Sequence, residues 1–470
     1  MIGRTSAWVI VASFCAPGAL VAQTQGAAQP SQPTSVSLTL EQAIQLARDS
    51  YPAVLEQRAR AAAATEGIAA ARTAYLPRLD ALWQENRATH NNVFGLLLPQ
   101  SVVPPVSGPV VPQGSDNVWG SAGGVLLSWD AIDFGLRKAN VEVARAEQTA
   151  ASASVAVSEL DATAAAADAY LTVLAADAAR GAAQANVDRL QVFLDAVRTL
   201  VTNQLRPGAD QSRAEAELAL ARNQVIQTKQ TADLARITLA GAVGRPGARV
   251  DPDPSPLPDP LATPSVAVPV ASHPAAQAAG ASISVVQARE TALGRAALPH
   301  ISFLSAASAR GSGATVPGID PANGLWPRVP NWATGVSISF PIMDIFTIQP
   351  RRRAEAQNEV AARAAYQQTL LTLTTAQARA AAIHDASAAI ARNMATVLSA
   401  AQETELRART RYNNGLAPIT EVADAQRLLA QAESDAAVAR LAVWRALLAE
   451  SQAAGDLTPF LRAMRVSGGL

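Results

Sequence analysis

Apolar residues alternate with polar or small ones in four short stretches of the chain. The cleanest is Trp332–Phe340, where Val336, Ile338 and Phe340 fall on one side and Gly335, Ser337 and Ser339 on the other. Trp119–Trp129 repeats the pattern, with Val125, Leu127 and Trp129 opposed to Gly124, Leu126 and Ser128. Arg78–Arg87, with Leu79, Ala81 and Trp83, and His300–Ala309, with Ile301 and Phe303, complete the set. A period of two predicts strands with one apolar side.

The remaining apolar positions predict helices. Leu136–Asn203 contains no proline and reads as one helix that Pro207-Gly208 terminate, after which Asp210–Val243 returns. Ile345–Asn414, with Pro350 expected in its first turn, and Pro418–Ala454 form a second pair. Each pair is preceded by a further helix. The first runs from Leu40 towards Tyr75; Thr39 and Gln42 make its capping box, Pro52 interrupts it and Pro77 ends it. Its counterpart is Pro274–Leu298. Ala88–Asn117 and Arg310–Pro330 carry no helical period and read as long loops.

This layout occurs twice. At an offset of 211, Gly124, Ser128, Asp133, Leu205, Pro207 and Leu218 match Gly335, Ser339, Asp344, Leu416, Pro418 and Leu429, and Asp210 matches Glu421 with its charge kept. Pro52 and Leu76-Pro77 recur at Pro274 and Leu298-Pro299. The predicted organisation is a signal peptide over 1–22, a flexible leader over 23–37 and a first repeat over 38–244. A proline-rich linker over 245–273, a second repeat over 274–455 and a loose tail over 456–470 follow.

Composition sharpens this picture. Lysine plus arginine equals aspartate plus glutamate, 38 each, so charge offers nothing to nucleic acid. Aromatic residues are 4% of the chain while apolar residues reach 49%, a balance that suits long alanine-rich helices packed closely side by side. Arg4, the apolar run Trp8–Phe14 and the small residues to Ala22 make an export signal. Cys15 is the sole cysteine, and Phe14 stands where a lipid-anchor signal has a small residue. No later stretch reaches the ~20 apolar residues of a spanning helix.

Geometry then points towards a membrane. Leu136–Asn203 would span about 100 Å, its return about half of that, and the preceding helix most of the remainder. Each long helix can therefore be flanked by two short ones placed end to end. The strands have the length of a tilted membrane strand, ~9–11 residues. Open sheet edges in lipid cost several kcal/mol for each unpaired group, and barrels need about eight strands. Four strands must therefore share a barrel with further copies of the chain. The soluble alternative is a periplasmic coiled-coil adaptor or scaffold with a four-stranded sheet, which leaves the alternation and the long loops unexplained. An enzyme is not indicated. His90, His273, His300 and His384 are scattered, and no metal-ligand spacing, nucleophile elbow or phosphate loop is present, so no catalytic, cofactor or metal residues are assigned.

Several motifs resemble the TolC-like outer-membrane efflux proteins over nearly the whole of 38–455. They are Leu38-Thr39-Leu40-Glu41-Gln42-Ala43, the two Leu-Pro pairs, and Arg411-Tyr412-Asn413-Asn414-Gly415-Leu416 followed by Glu421 to Arg427. The resemblance implies a mainly α protein with membrane β structure: a homotrimer whose shared twelve-stranded barrel sits in the outer membrane above an α-helical periplasmic tunnel. It also implies docking to a periplasmic adaptor (membrane fusion) protein and an inner-membrane transporter. Carried over by position, Gln204, Leu205, Arg206, Pro207, Gly415 and Leu416 would contact the adaptor, and Asp210, Glu421 and Asp424 would lie near the pore constriction. The plain readings stay open beside these: hairpin turns without a partner, and carboxylates on a solvated helix face. Gln204 stands where the family usually has glycine, and Arg206-Pro207-Gly208 follow, a departure that leaves the shape of the first tip's turn and the choice of adaptor open.

Overall fold

The computed structural model describes residues 35–89, 117–253, 268–315, 318–319 and 324–468. The signal segment, the leader up to Thr34, most of the loop Ala88–Asn117 and the prolines Pro254 to Pro260 lie outside these residues.

Local signals act as expected at the first helix. Thr39 Oγ1 accepts from the Gln42 amide and Gln42 Oε1 accepts from the Thr39 amide, closing a capping box. Pro52, which cannot donate to the preceding turn, ends α1 (Leu40–Ser50) and opens α2 (Pro52–Thr73) as its first residue. Helix α3 (Leu136–Thr202) is 67 residues long and α4 (Gly208–Ala242) returns along its lower half. The second repeat supplies α5 (Pro274–Ala296), α6 (Ile345–Asn413) and α7 (Ile419–Ala454). Pro350 is the sixth residue of α6 and so sits in its second turn rather than its first.

Stacking of the short helices fixes two close approaches. Val243 and Gly244, at the end of α4, meet the end of α1: Ser50 Oγ donates to the Val243 carbonyl at 3.3 Å. A Cβ on Gly244 would lie 3.2 Å from the Ser50 carbonyl oxygen. At the equivalent place in the second repeat, a Cβ on Gly455 would lie 2.8 Å from Pro274 Cδ, and the residue has φ +82°. Only glycine meets both demands there. Thus α3 is flanked by α2 above α4 on one side and by α5 above α7 on the other.

Around these junctions lies the larger core, in which Leu171, Val173, Leu239, Trp444 and Phe460 are almost fully buried. Two sequence expectations change here. Ser35–Leu38, of which residues 35–37 belong to the predicted flexible leader, forms strand β1 and pairs in parallel with β4 (Arg249–Pro252) at the start of the linker. Leu38 and Val250 are both buried, and Arg236 ties β4 to α3 through Asp251 at 2.5 Å and Asp177 at 2.8 Å. The tail is not loose either. Thr458–Gly468 forms α8, which buries Phe460 edge-on against Trp444 at 6.2 Å. Arg465 of α8 pairs with Glu41 of α1.

Four longer strands form one antiparallel sheet in the order β2 (Arg78–Thr89), β3 (Asn117–Ile132), β5 (His300–Ser312) and β8 (Val329–Ser339), so the repeats join at β3 and β5. Two-residue strands β6 (Ala314–Thr315) and β7 (Gly318–Ile319) pair inside the loop read from Arg310 to Pro330. Directly opposed residues share a face. The register aligns Leu79 with Leu127, Ala81 with Val125, Trp129 with Phe303 and Val336, and Ile301 with Ile338. A register shift between Asp130 and Ile132 brings Ile132 opposite Ile301, onto that same apolar face. The reverse face carries Arg78, Ser128 and Leu304 in one row, and Asp130, Ser302 and Ser337 in another. One side is therefore apolar and the other mostly polar or small. Trp332 on the apolar side is 81% exposed in the single chain, and among the described residues no helix is long and apolar enough to cross a membrane.

Candidate functional site

The far end of the molecule, remote from the sheet, is built by the tips of two helical hairpins. At both, the chain leaves the long helix through the same turn. Gln204 N–H donates to Val201 O at 2.9 Å and Leu205 N–H to Leu200 O at 2.8 Å. At the second tip, Gly415 N–H donates to Tyr412 O at 3.0 Å and Leu416 N–H to Arg411 O at 2.8 Å. This paired pattern requires a left-handed residue after the cap. Gly415 takes it at φ +76° without strain, and Gln204 takes it at φ +59°. The turn shape that Gln204 left open is the same as at the second tip; the residue accepts the unfavourable conformation and the shape is kept.

The turn aims a leucine outwards each time. Leu205 is 67% exposed and Leu416 is 70% exposed. Pro207 and Pro418 follow as N-cap residues of α4 and α7, where their missing N–H costs nothing. Arg206 behaves differently from its neighbours. Its Nη2 donates to the Tyr412 carbonyl at 2.7 Å and its guanidinium stacks 4.4 Å from the centre of the Tyr412 ring. It braces one hairpin against the other.

The three carboxylates are each engaged within the chain. Asp210 Oδ2 accepts the Tyr412 hydroxyl at 3.1 Å. Glu421 pairs with Arg411 at 3.1 Å, and Asp424 with Arg427 at 3.3 Å. Arg427 reaches further, to Glu217 of the other hairpin at 2.7 Å, and that bond and charge raise its pKa. One helical turn or more above, Arg189 makes a bidentate pair with Glu433 at 2.7 and 3.1 Å. Tyr412 itself is almost fully buried, with Phe193 5.5 Å away, and it joins both hairpins in one apolar cluster with Val197, Leu218 and Val422. Burial first, and then the bond to Asp210 and its charge, push the Tyr412 hydroxyl up to about 12. The repeat offset and the resemblance singled out Asp210, Glu421 and Asp424; the partner that the sequence could not show is Tyr412, brought to Asp210 from the opposite hairpin, whereas Glu421 and Asp424 pair within their own hairpin.

A four-stranded sheet with one apolar face, continuous with two helical hairpins of this length, defines a TolC-like outer-membrane channel subunit. The chain belongs to the outer membrane efflux protein family, whose pattern matches residues 43–245 and 270–456. It is a transport protein and not an enzyme, seated in the outer membrane with a helical extension in the periplasm; channels of this family are trimeric components of tripartite efflux systems. Among solved structures, that of CusC matches with TM-score 0.73 at 16% identity, covering 91% of this chain and 96% of the other. The outer membrane protein VceC from Vibrio cholerae matches with TM-score 0.70 at 17% identity, covering 89% and 96%. The open state of the Neisseria gonorrhoeae MtrE outer membrane channel matches with TM-score 0.70 at 20% identity, covering 89% of each. No curated protein matches by sequence. At these identities the structures speak for the fold.

Proposed function

We propose that three copies of this chain close a single twelve-stranded barrel over one helical tunnel, and that the hairpin tips dock a periplasmic adaptor that joins the tunnel to an inner-membrane transporter. The free edges of β2 and β8 support the first part. In lipid their backbone groups need partners, and a neighbouring copy offers β8 to β2 around a closed ring. The observation that carries the second part is the pair of leucines at equivalent positions, each about two-thirds exposed on the same turn at the end remote from the membrane. An apolar knob on a rigid turn suits the groove of a partner helix pair.

On this reading Gln204, Leu205, Pro207, Gly415 and Leu416 form the docking rim, and Asp210, Glu421 and Asp424 stand at the tunnel mouth. The duct is passive. Opening it requires the Tyr412–Asp210 and Arg427–Glu217 links to part so that one hairpin can swing from the other. Gly415→Trp places a bulky side chain at positive φ on the docking rim. Export should be lost while assembly in the outer membrane persists; normal export by that variant would remove the tip as a docking site.

A further inference from the structure

We propose that the helix ends just below the sheet form a basic belt that grips anionic phospholipid headgroups of the periplasmic leaflet. All four long strands connect to helices at the same end of the sheet. Within about two helical turns of that end stand Arg72 near the end of α2, Lys138 at the start of α3, Arg295 at the end of α5, and Arg351 and Arg353 in α6. All five are exposed, and among the described residues none makes an ion pair. Of the neighbouring carboxylates Asp133 is taken by Arg137 at 2.9 Å and Glu290 by Arg352 at 3.6 Å, while Asp130 and Glu355 hold only Ser302 and Asn358; with Asp344, three acids stand at this level against the five cations.

The belt adjoins an apolar edge. Phe340, Ile342, Met343 and Phe346 are between 63% and 76% exposed, and Leu76 is 67% exposed. Phe346 and Arg353 are seven positions apart in α6 and so share a face, with the cation about 10 Å further from the sheet. Arg72, in the last turn of α2, precedes the exposed Leu76 by four residues and again stands on the side away from the sheet. That spacing matches the step from the hydrocarbon edge into the headgroup layer, which is several Å thick on each side of a bilayer. A guanidinium forks onto phosphate oxygens, and its aliphatic stem lies along the apolar rim. Uncompensated cations immediately beyond an apolar band thus recognise an anionic phosphodiester, such as the phosphatidylglycerol headgroup.

The test takes full-length protein purified from outer membranes and measures retained phosphatidylglycerol by native mass spectrometry. The wild-type protein should carry it. The combined variant Arg72→Gln, Lys138→Gln, Arg295→Gln and Arg353→Gln should lose it, with affinity falling about fivefold for each cation removed. The same positions substituted for charge, Arg353→Lys among them, should keep it. Equal lipid retention by the neutral variant would overturn the proposal, as would loss of assembly with lipid retention unchanged, since the cations would then serve contacts between chains. Should the neutral variant not fold, the wild-type protein decides alone. Its insertion into phosphatidylcholine vesicles should be favoured by added phosphatidylglycerol and weakened by salt, and indifference to both would overturn the proposal.

Discussion

Tyr412 donates its phenolic O–H to Asp210 Oδ2 across 3.1 Å and 202 positions of sequence. The bond spans the two hairpins at their tips, on a tyrosine whose ring is already buried between them. Tyr412→Phe keeps the ring and deletes the bond. A hydrogen bond to a charged group contributes about 1.5–3 kcal/mol, so the tips should lose roughly tenfold or more of their preference for this joined arrangement. Single-channel conductance in planar bilayers should rise; unchanged conductance would mean that the hydroxyl does not restrain the tips.

Alkaline titration gives a second handle on the same residue. Tyr412 and Tyr170 are both pushed up to about 12, each by burial first and then by a carboxylate, Asp210 or Asp253. A folded pKa above the unfolded value of about 10 means that this stabilisation is complete below pH ~10 and is lost as pH rises towards 12. Denaturation midpoints should therefore fall across that window. In Tyr412→Phe the fall should be smaller, and tyrosinate absorbance should lose part of its late-titrating amplitude.

Gln204 is held at φ +59° in a turn that its counterpart Gly415 makes freely. Gln204→Gly should relieve strain of up to about 1 kcal/mol without changing the turn. Slower amide exchange at Leu205 would report the gain. Faster exchange would show that the glutamine side chain stabilises the tip in some other way.

Two glycines should respond to alanine with opposite signs. Gly455→Ala drives a Cβ to within 3 Å of Pro274 and His273 at positive φ and should destabilise by about 1–3 kcal/mol. Gly181→Ala, in the middle of α3 with open space around it, should stabilise by about 0.5–1 kcal/mol. Chemical denaturation of each variant measures both.

The faces of the sheet can be tested one residue apart. Val336→Arg puts charge on the apolar side and should cost about 2–4 kcal/mol of membrane stability, whereas Ser337→Arg on the polar side should be tolerated. The yield of assembled protein in outer-membrane fractions separates them, and equal yields would contradict the register.

Much of this protein follows from the sequence by itself. Alternation at Val125–Leu127–Trp129 and Val336–Ile338 marked the apolar face, prolines 52, 207, 274 and 418 set helix starts, and the 211-residue offset paired the tips. Such features rest on periodicity and capping, which act within a few residues and are written where they operate. The tertiary structure alone decided the rest. It paired Ser35–Leu38 with Arg249–Pro252, folded the tail into α8 against Trp444, and turned Arg206 inwards onto Tyr412. The first and the last join segments about 200 positions apart, and the tail meets Trp444 only by folding back at the break between α7 and α8. No local pattern specifies which partner a buried strand, ring or guanidinium will meet, because that choice is made only when the hairpins dock.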